Sequence, residues 1–320
     1  MAQYPDPAAL AAASVSASSL LVPDQRQAPL IDASQLVTQL AMAGLKSPVV
    51  LDCRARLDDG EAGERLWREG HLPGAIHVDM DRDLSAAVRE DGVGGRHPLP
   101  SHQATAALFR RLGITPEQQV VVYDDMDGQM AAARLWWMLT WAGHPDVRVL
   151  DGGIQAWNQA MGELKRAPAQ PVTLTPSDWQ PSFDDSLLVS AEQVVDTDDS
   201  LLDARGEARF RGEQEPVDPV AGHIPGAFCR PTPSNLEANG RFKDRMSLMR
   251  ELHSLLPAEG EVIAYCGSGI SACQNILAFA IAGLPLPRLY AGSWSDWISD
   301  PARPVATGEA SEKSPHAPAR

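Results

Sequence analysis

The chain repeats itself. Val50-Leu51-Asp52-Cys53-Arg54 is answered by Leu201-Leu202-Asp203-Ala204-Arg205, and Gly70-His71-Leu72-Pro73-Gly74-Ala75 by Gly222-His223-Ile224-Pro225-Gly226-Ala227. Further on, Val121-Val122-Tyr123-Asp124 matches Ile263-Ala264-Tyr265-Cys266. Val149-Leu150-Asp151-Gly152-Gly153 with Trp157 matches Leu289-Tyr290-Ala291-Gly292-Ser293 with Trp297. Four segments kept in one order over a long period set the architecture before any element is assigned. One domain occurs twice, and 320 residues suffice for two such domains.

Within each copy, short β-branched runs (Val120 to Tyr123, Glu261 to Tyr265) alternate with helix-period stretches (Gln129 to Ala142, Ser271 to Ala282). That alternation predicts an α/β domain, a mainly parallel sheet flanked by helices. Residues 164–185 hold four prolines and few periodic apolar positions, as a linker does. The resulting partition is a flexible tail over 1–28, a first domain over 29–163, the linker, a second domain over 186–305 and a flexible tail over 306–320.

Charge narrows the function. Lys and Arg number 27 against 42 Asp and Glu, a net charge of −15, so the chain has no general attraction for nucleic acid or an anionic membrane surface. An anionic substrate therefore needs a local basic patch. No apolar run approaches the roughly 20 residues of a membrane helix. Asp6 stands where a signal peptide would carry Lys or Arg. The four cysteines, at 53, 229, 266 and 273, form no CxxC and no metal-ligand spacing, which suits a reducing cytoplasm without disulfides or zinc.

The most informative segment is Val262-Ile263-Ala264-Tyr265-Cys266-Gly267-Ser268-Gly269-Ile270-Ser271-Ala272. A buried strand ends at Cys266, glycines allow a tight loop, and a helix with an apolar stripe begins at Ser271. This arrangement places a sulfur at a helix N-terminus, where unpaired N–H groups and the helix dipole favour an anion such as a thiolate or persulfide. Open α/β sheets also bind ligands at the carboxyl ends of their strands. The alternative is a structural thiol beside turning glycines. Asp124 at the matching position marks the first copy as lacking the nucleophile.

With Cys266 to Ala272, Gly222 to Ala227, Gly292-Ser293-Trp294-Ser295-Asp296-Trp297, Arg134-Leu135-Trp136-Trp137-Met138 and Val149 to Gly153 taken jointly, the sequence resembles the tandem-domain rhodanese family, from about Leu30 to Pro304. Within that family it is most similar to the mercaptopyruvate sulfurtransferases. The resemblance implies that Cys266 accepts sulfane sulfur from a small-molecule donor and passes it to a thiophilic acceptor such as cyanide, a small thiol or a thioredoxin-like protein. No metal or organic cofactor is implied. The persulfide would lie among the amides of Gly267, Ser268, Gly269, Ile270, Ser271 and Ala272. Arg209 would bind the donor, with Arg211 assisting.

The resemblance also implies a serine, histidine and aspartate acting with the cysteine: Ser268, His97 and Asp81. An interface-packing role for His97 stays open, since the usual His-Met-Leu-Pro reads His97-Pro98-Leu99-Pro100 here. Where mercaptopyruvate enzymes usually carry Glu-Pro-Arg, this chain reads Glu215-Pro216-Val217, which leaves thiosulfate open as donor. Arg205, with its counterpart Arg54, reads as structural, as do the paired His71 and His223. Cys273 reads as a core residue, and Trp136, Trp137 and Trp141 as core or domain-interface residues. A cysteine phosphatase would need an arginine six residues past Cys266, where Ala272 stands. A non-catalytic rhodanese-like binding module is the alternative of another class.

Overall fold

The structure, a computed structural model, describes residues 28–42, 47–126, 128, 130–160, 162–166, 174–257 and 260–309. The tails assigned to 1–28 and 306–320 fall mostly outside the described residues.

The two copies build two parallel sheets of matching order. In the first, β1 (Leu30–Ile31), β5 (Val147–Leu150), β4 (Val120–Tyr123), β2 (Val49–Asp52) and β3 (Ile76–His77) lie side by side in that order. In the second the order is β9 (Arg288–Leu289), β8 (Val262–Tyr265), β6 (Ser200–Asp203) and β7 (Ala227–Cys229), and Leu188 bridges to Leu289 where β1 pairs in the first. Central strands β4 and β8 are buried throughout, as runs such as Val-Val-Val-Tyr require of a sheet covered on both faces.

An identical polar knot ties each copy together. The Arg54 guanidinium donates to both carboxylate oxygens of Asp52 and to the Gly70 carbonyl, while the Tyr123 hydroxyl donates to Asp52 at 2.5 Å. Arg205 does the same with Asp203 and the Gly222 carbonyl. In both copies the tyrosine oxygen also accepts a turn N–H, from Leu72 or Ile224. His71 and His223 each bond a helix-end carbonyl through Nδ1 and stack on an aromatic ring. Because the copy without the cysteine keeps every part of this knot, its purpose is to hold the fold.

Two boundaries extend beyond the sequence expectation. His71 pairs antiparallel with Lys165, and His223 with Ala306, so each domain closes with an equivalent C-terminal bridge, at 165 rather than 163 and at 306 rather than 305. Gly308 still donates to the Arg211 carbonyl. Residues 174–185 of the linker lie packed on the first domain. Trp179 stacks on Phe109, Phe183 stacks on His102, and Ser182 and Asp184 donate backbone N–H groups to the carbonyls of Ala142 and Trp141.

The domains meet through α4 (Ala131–Trp141) and α9 (Ala272–Ala282), each buried on nearly every side. Helices apolar all round must lie in an interior, and here that interior is the seam between the copies. One hydrophobic cluster runs from Leu51 and Trp137 in the first domain to Ala264, Ile276 and Cys266 in the second. The site therefore lies against an apolar junction between the copies.

Candidate active site

Cys266 follows β8 directly and is 2% exposed. Its backbone N–H donates to Ser293 Oγ at 3.0 Å, and that hydroxyl donates in turn to the Tyr290 carbonyl at 2.9 Å. To reach this position Ser293 adopts φ 56°, the sole non-glycine positive φ among the described residues. A strained backbone directly behind a nucleophile is the kind of feature that surrounding structure must impose. The Gly269 N–H donates to Cys266 Sγ at 3.1 Å. Helix α9 then starts without a side-chain cap, and the carbonyls of Ile270 and Ser271 accept the N–H groups of Cys273 and Gln274 at 3.2 and 3.0 Å.

The first domain shows what this loop is built to hold. At the equivalent place after β4, Asp124 accepts the N–H groups of Met126 and Gly128 at 3.0 and 2.8 Å and that of Ala132 at 3.3 Å. A carboxylate there fills a cradle of amides with its own negative charge. In the second copy Cys266 takes the carboxylate's place in the chain, with the Gly269 N–H directed at its sulfur.

Three of the sequence-derived residues converge across the domain boundary. His97 Nδ1 lies 2.7 Å from Ser268 Oγ, and its Nε2 lies 3.5 Å from Asp81 Oδ1. A carboxylate facing Nε2 favours the tautomer protonated there, leaving Nδ1 to accept from the serine. Burial holds the His97 imidazole below its ordinary value, against the opposing pull of Asp81 and with help from Arg96 and Arg134. His97 is thus neutral near pH 7 and can take a proton.

The segment that delivers His97 is strapped to the second domain. The Gly94 N–H donates to Asp296 Oδ1 at 2.8 Å, and the Arg96 N–H donates to Ser295 Oγ at 3.1 Å. Gly95, at φ 73°, runs so close to α10 (Ser293–Trp297) that an added Cβ would stand 2.5 Å from the Gly292 carbonyl oxygen.

Arg209 also comes to the site. It reaches to within 3.6 Å of where a Gly267 side chain would begin, and it is held by Glu215 at 2.7 Å and Asp218 at 3.0 Å. Arg211 does not join it; its guanidinium pairs with Glu207, Glu213 and Glu309. Two residues later than Arg209, it has turned to the other side of the short helix α7 (Glu207–Phe210). Val217 is half exposed and brings no charge.

Sequence reasoning missed two arginines. Arg96 places a guanidinium nitrogen 3.0 Å from the Gly267 Cβ position. Arg134, fully buried in α4, donates to the Gly269 carbonyl at 3.0 Å and the His97 carbonyl at 3.5 Å. Both lie in segments singled out for their neighbours, and no local pattern ties either to a loop more than a hundred residues away. Cys273 is buried and donates to the Gly269 carbonyl, with burial pushing its thiol up to about 12, as befits a core residue.

The sequence matches the Rhodanese-like domain model twice, over residues 33–160 and 188–300. A Pseudomonas aeruginosa protein named as a 3-mercaptopyruvate sulfurtransferase is 48% identical over 88% of this chain and 99% of its own length. A Mycobacterium tuberculosis protein named as a thiosulfate sulfurtransferase is 42% identical over 86% of this chain and 98% of its own. Among solved structures, the Escherichia coli 3-mercaptopyruvate sulfurtransferase superposes with a TM-score of 0.70 at 27% identity, covering 84% of this chain and 99% of that one. The chain is accordingly a member of the rhodanese family, built from two rhodanese-like domains in tandem.

Proposed function

We propose that this sulfurtransferase carries sulfane sulfur from 3-mercaptopyruvate through a persulfide on Cys266 to a thiophilic acceptor, either cyanide or a thiol on a small molecule or thioredoxin-like protein, in a reducing compartment. The observation that supports this most is the assembly of Ser268, His97 and Asp81 beside the Cys266 loop. Thiosulfate already carries a good leaving group, sulfite. Mercaptopyruvate instead expels a carbon, and its enolate needs a proton.

The Cys266 thiolate attacks the donor sulfur, and the C–S bond breaks with its electron pair going to the three-carbon fragment. Neutral His97 takes the donor thiol's proton through the Ser268 hydroxyl, and the imidazolium so formed returns it by the same route to that carbanion, yielding pyruvate and leaving the persulfide as an anion. Amides of residues 267–272 hold the persulfide anion, which an acceptor nucleophile then attacks at the outer sulfur, regenerating the thiolate. Arg209 binds the donor carboxylate.

Thiocyanate formation from cyanide, measured with 3-mercaptopyruvate and thiosulfate side by side, tests the reading. Faster turnover with mercaptopyruvate, lost in Cys266→Ser, is expected, and intact mass should show one added sulfur on the wild type alone. A preference for thiosulfate would move the donor assignment. No added sulfur from any donor would leave a binding module.

A further inference from the structure

We infer that Tyr290 and Asp296 are positioning residues, a brace that the second domain adds to the shared fold: through the Gly94 N–H they hold the crossing segment of the first domain so that His97 meets Ser268. The inference rests on the proton-relay reading above.

Bonds run from the backbone of the nucleophile to the segment that carries the base. The Cys266 N–H donates to Ser293 Oγ, and the Ser293 hydroxyl donates to the Tyr290 carbonyl. The Tyr290 hydroxyl donates to Asp296 Oδ2 at 2.5 Å, and Asp296 Oδ1 accepts the Gly94 N–H at 2.8 Å. His97 stands three residues further on, and Ser295 Oγ takes the N–H of the intervening Arg96.

The twin domain supplies the control. By the repeat, Tyr290, Ser293 and Asp296 correspond to Leu150, Gly153 and Ala156. The backbones match at this corner. Gly153 and Ser293 share φ 56°, and the N–H groups of Ile154 and Trp294 donate to the carbonyls of Asp124 and Cys266 at 3.1 and 3.0 Å. Leu150 and Ala156 are both buried, so the fold closes the corner with an apolar pair and needs neither a phenol nor a carboxylate there. All three polar side chains belong to the copy that has the cysteine. Asp296 is buried, and a buried carboxylate is destabilising unless its oxygens are well bonded. One of those bonds crosses to Gly94, 202 residues away in the other domain. The reciprocal crossing, where Asp151 Oδ1 accepts the Phe242 N–H at 2.9 Å, uses a different position and serves the loop without the cysteine.

Grafting the twin's own pair, Tyr290→Leu with Asp296→Ala, tests the brace in the full chain. Arg303, the cation beside Asp296, keeps Asp300, Glu192 and the Asp296 backbone carbonyl, so no buried charge is stranded. The thermal midpoint should fall by less than about 8 °C, while mercaptopyruvate kcat/KM falls about 10- to 100-fold as His97 leaves Ser268. The charged groups facing the imidazole, Asp81, Arg96 and Arg134, are unaltered by the graft, and burial is what holds the ring below its ordinary value. A freed segment admits water to the ring, so the acid limb of the kcat/KM profile and the His97 titration read by NMR should both move to higher pH. Asp296→Asn keeps an acceptor for Gly94 and should restore most of both. Tyr290→Phe, which removes one hydroxyl and no more, should shift both part of the way. An unmoved His97 titration in the graft and in Tyr290→Phe, whether or not stability is lost, would overturn the brace and leave the relay reading standing. A moved titration with mercaptopyruvate kcat/KM within about twofold of wild type would keep the brace and overturn the relay reading.

Discussion

At the scale of single residues, two carboxyl groups give opposite pH signatures. Asp81 raises the His97 pKa while burial lowers it more. Asp81→Asn therefore pushes the imidazole down further, and the acid limb of the mercaptopyruvate kcat/KM profile should move to lower pH while the plateau falls about tenfold. An unmoved limb would take His97 out of the proton path. Asp124, buried in the first-domain loop, is raised from 3.8 to about 6, burial outweighing its three N–H donors. A carboxyl raised on folding binds a proton that the unfolded chain has already released. Its contribution to stability is present below about pH 4 and lost as pH rises through 6, about 3 kcal/mol in all. Asp124→Asn cannot titrate, so between pH 4 and 7 it should gain about that much on the wild type in urea unfolding; parallel curves for the two proteins would refute the assignment. Cys266, its loop and the paired histidines were legible in the sequence because each lies in a short local motif or its repeat. Arg96 was not, because its meaning depends on a contact 171 residues away, at Gly267.

At the scale of elements, the loop between β8 and α9 shows how much of the site is backbone. Gly269 sits at φ 76°, and an added Cβ would meet the Ala291 carbonyl oxygen at 2.1 Å. Gly74 has nearly the same φ, 74°, but open space around it. Alanine at Gly74 should cost about 1–2 kcal/mol, the strain of a left-handed alanine alone. Alanine at Gly269 adds a backbone clash, should cost about 2–5 kcal/mol, and should abolish persulfide loading because the 269 amide no longer meets Sγ. Similar losses of thermal stability at the two positions would mean that the loop yields to the clash. The mainly parallel sheet and the α4 and α9 helices followed from periodicity and the repeat. The packing of the linker was not legible, because prolines signal a break in periodicity but not where the chain then lies. Here Trp179 and Phe183 decide it by stacking on the first domain.

At the scale of the whole molecule, duplication has divided labour rather than doubled it. The copy that lost its cysteine contributes His97, Arg96 and Asp81 to the copy that kept it, and α4 gives Arg134 to the seam. That guanidinium is fully buried; its bonds go to the carbonyls of Gly269 and His97, and Nε has no partner among the described residues. Burial lowers its pKa, opposed in part by the nearby sulfurs of Cys273 and Cys266. A buried cation facing neutral acceptors is costly in the resting protein and better matched once an anion forms on Cys266. Stability and activity should therefore separate in Arg134→Met. Removing the charge ends its desolvation cost while leaving one carbonyl short of a donor, so the net change in unfolding free energy should stay within about 2 kcal/mol. Persulfide loading should nevertheless fall about 10- to 100-fold, because the anion loses a buried cation and the His97 segment loses a tie to the loop. Urea unfolding and single-turnover loading measured on the same preparation separate the roles. A loss of 3–5 kcal/mol with normal loading would make Arg134 a structural tie between the domains and nothing more.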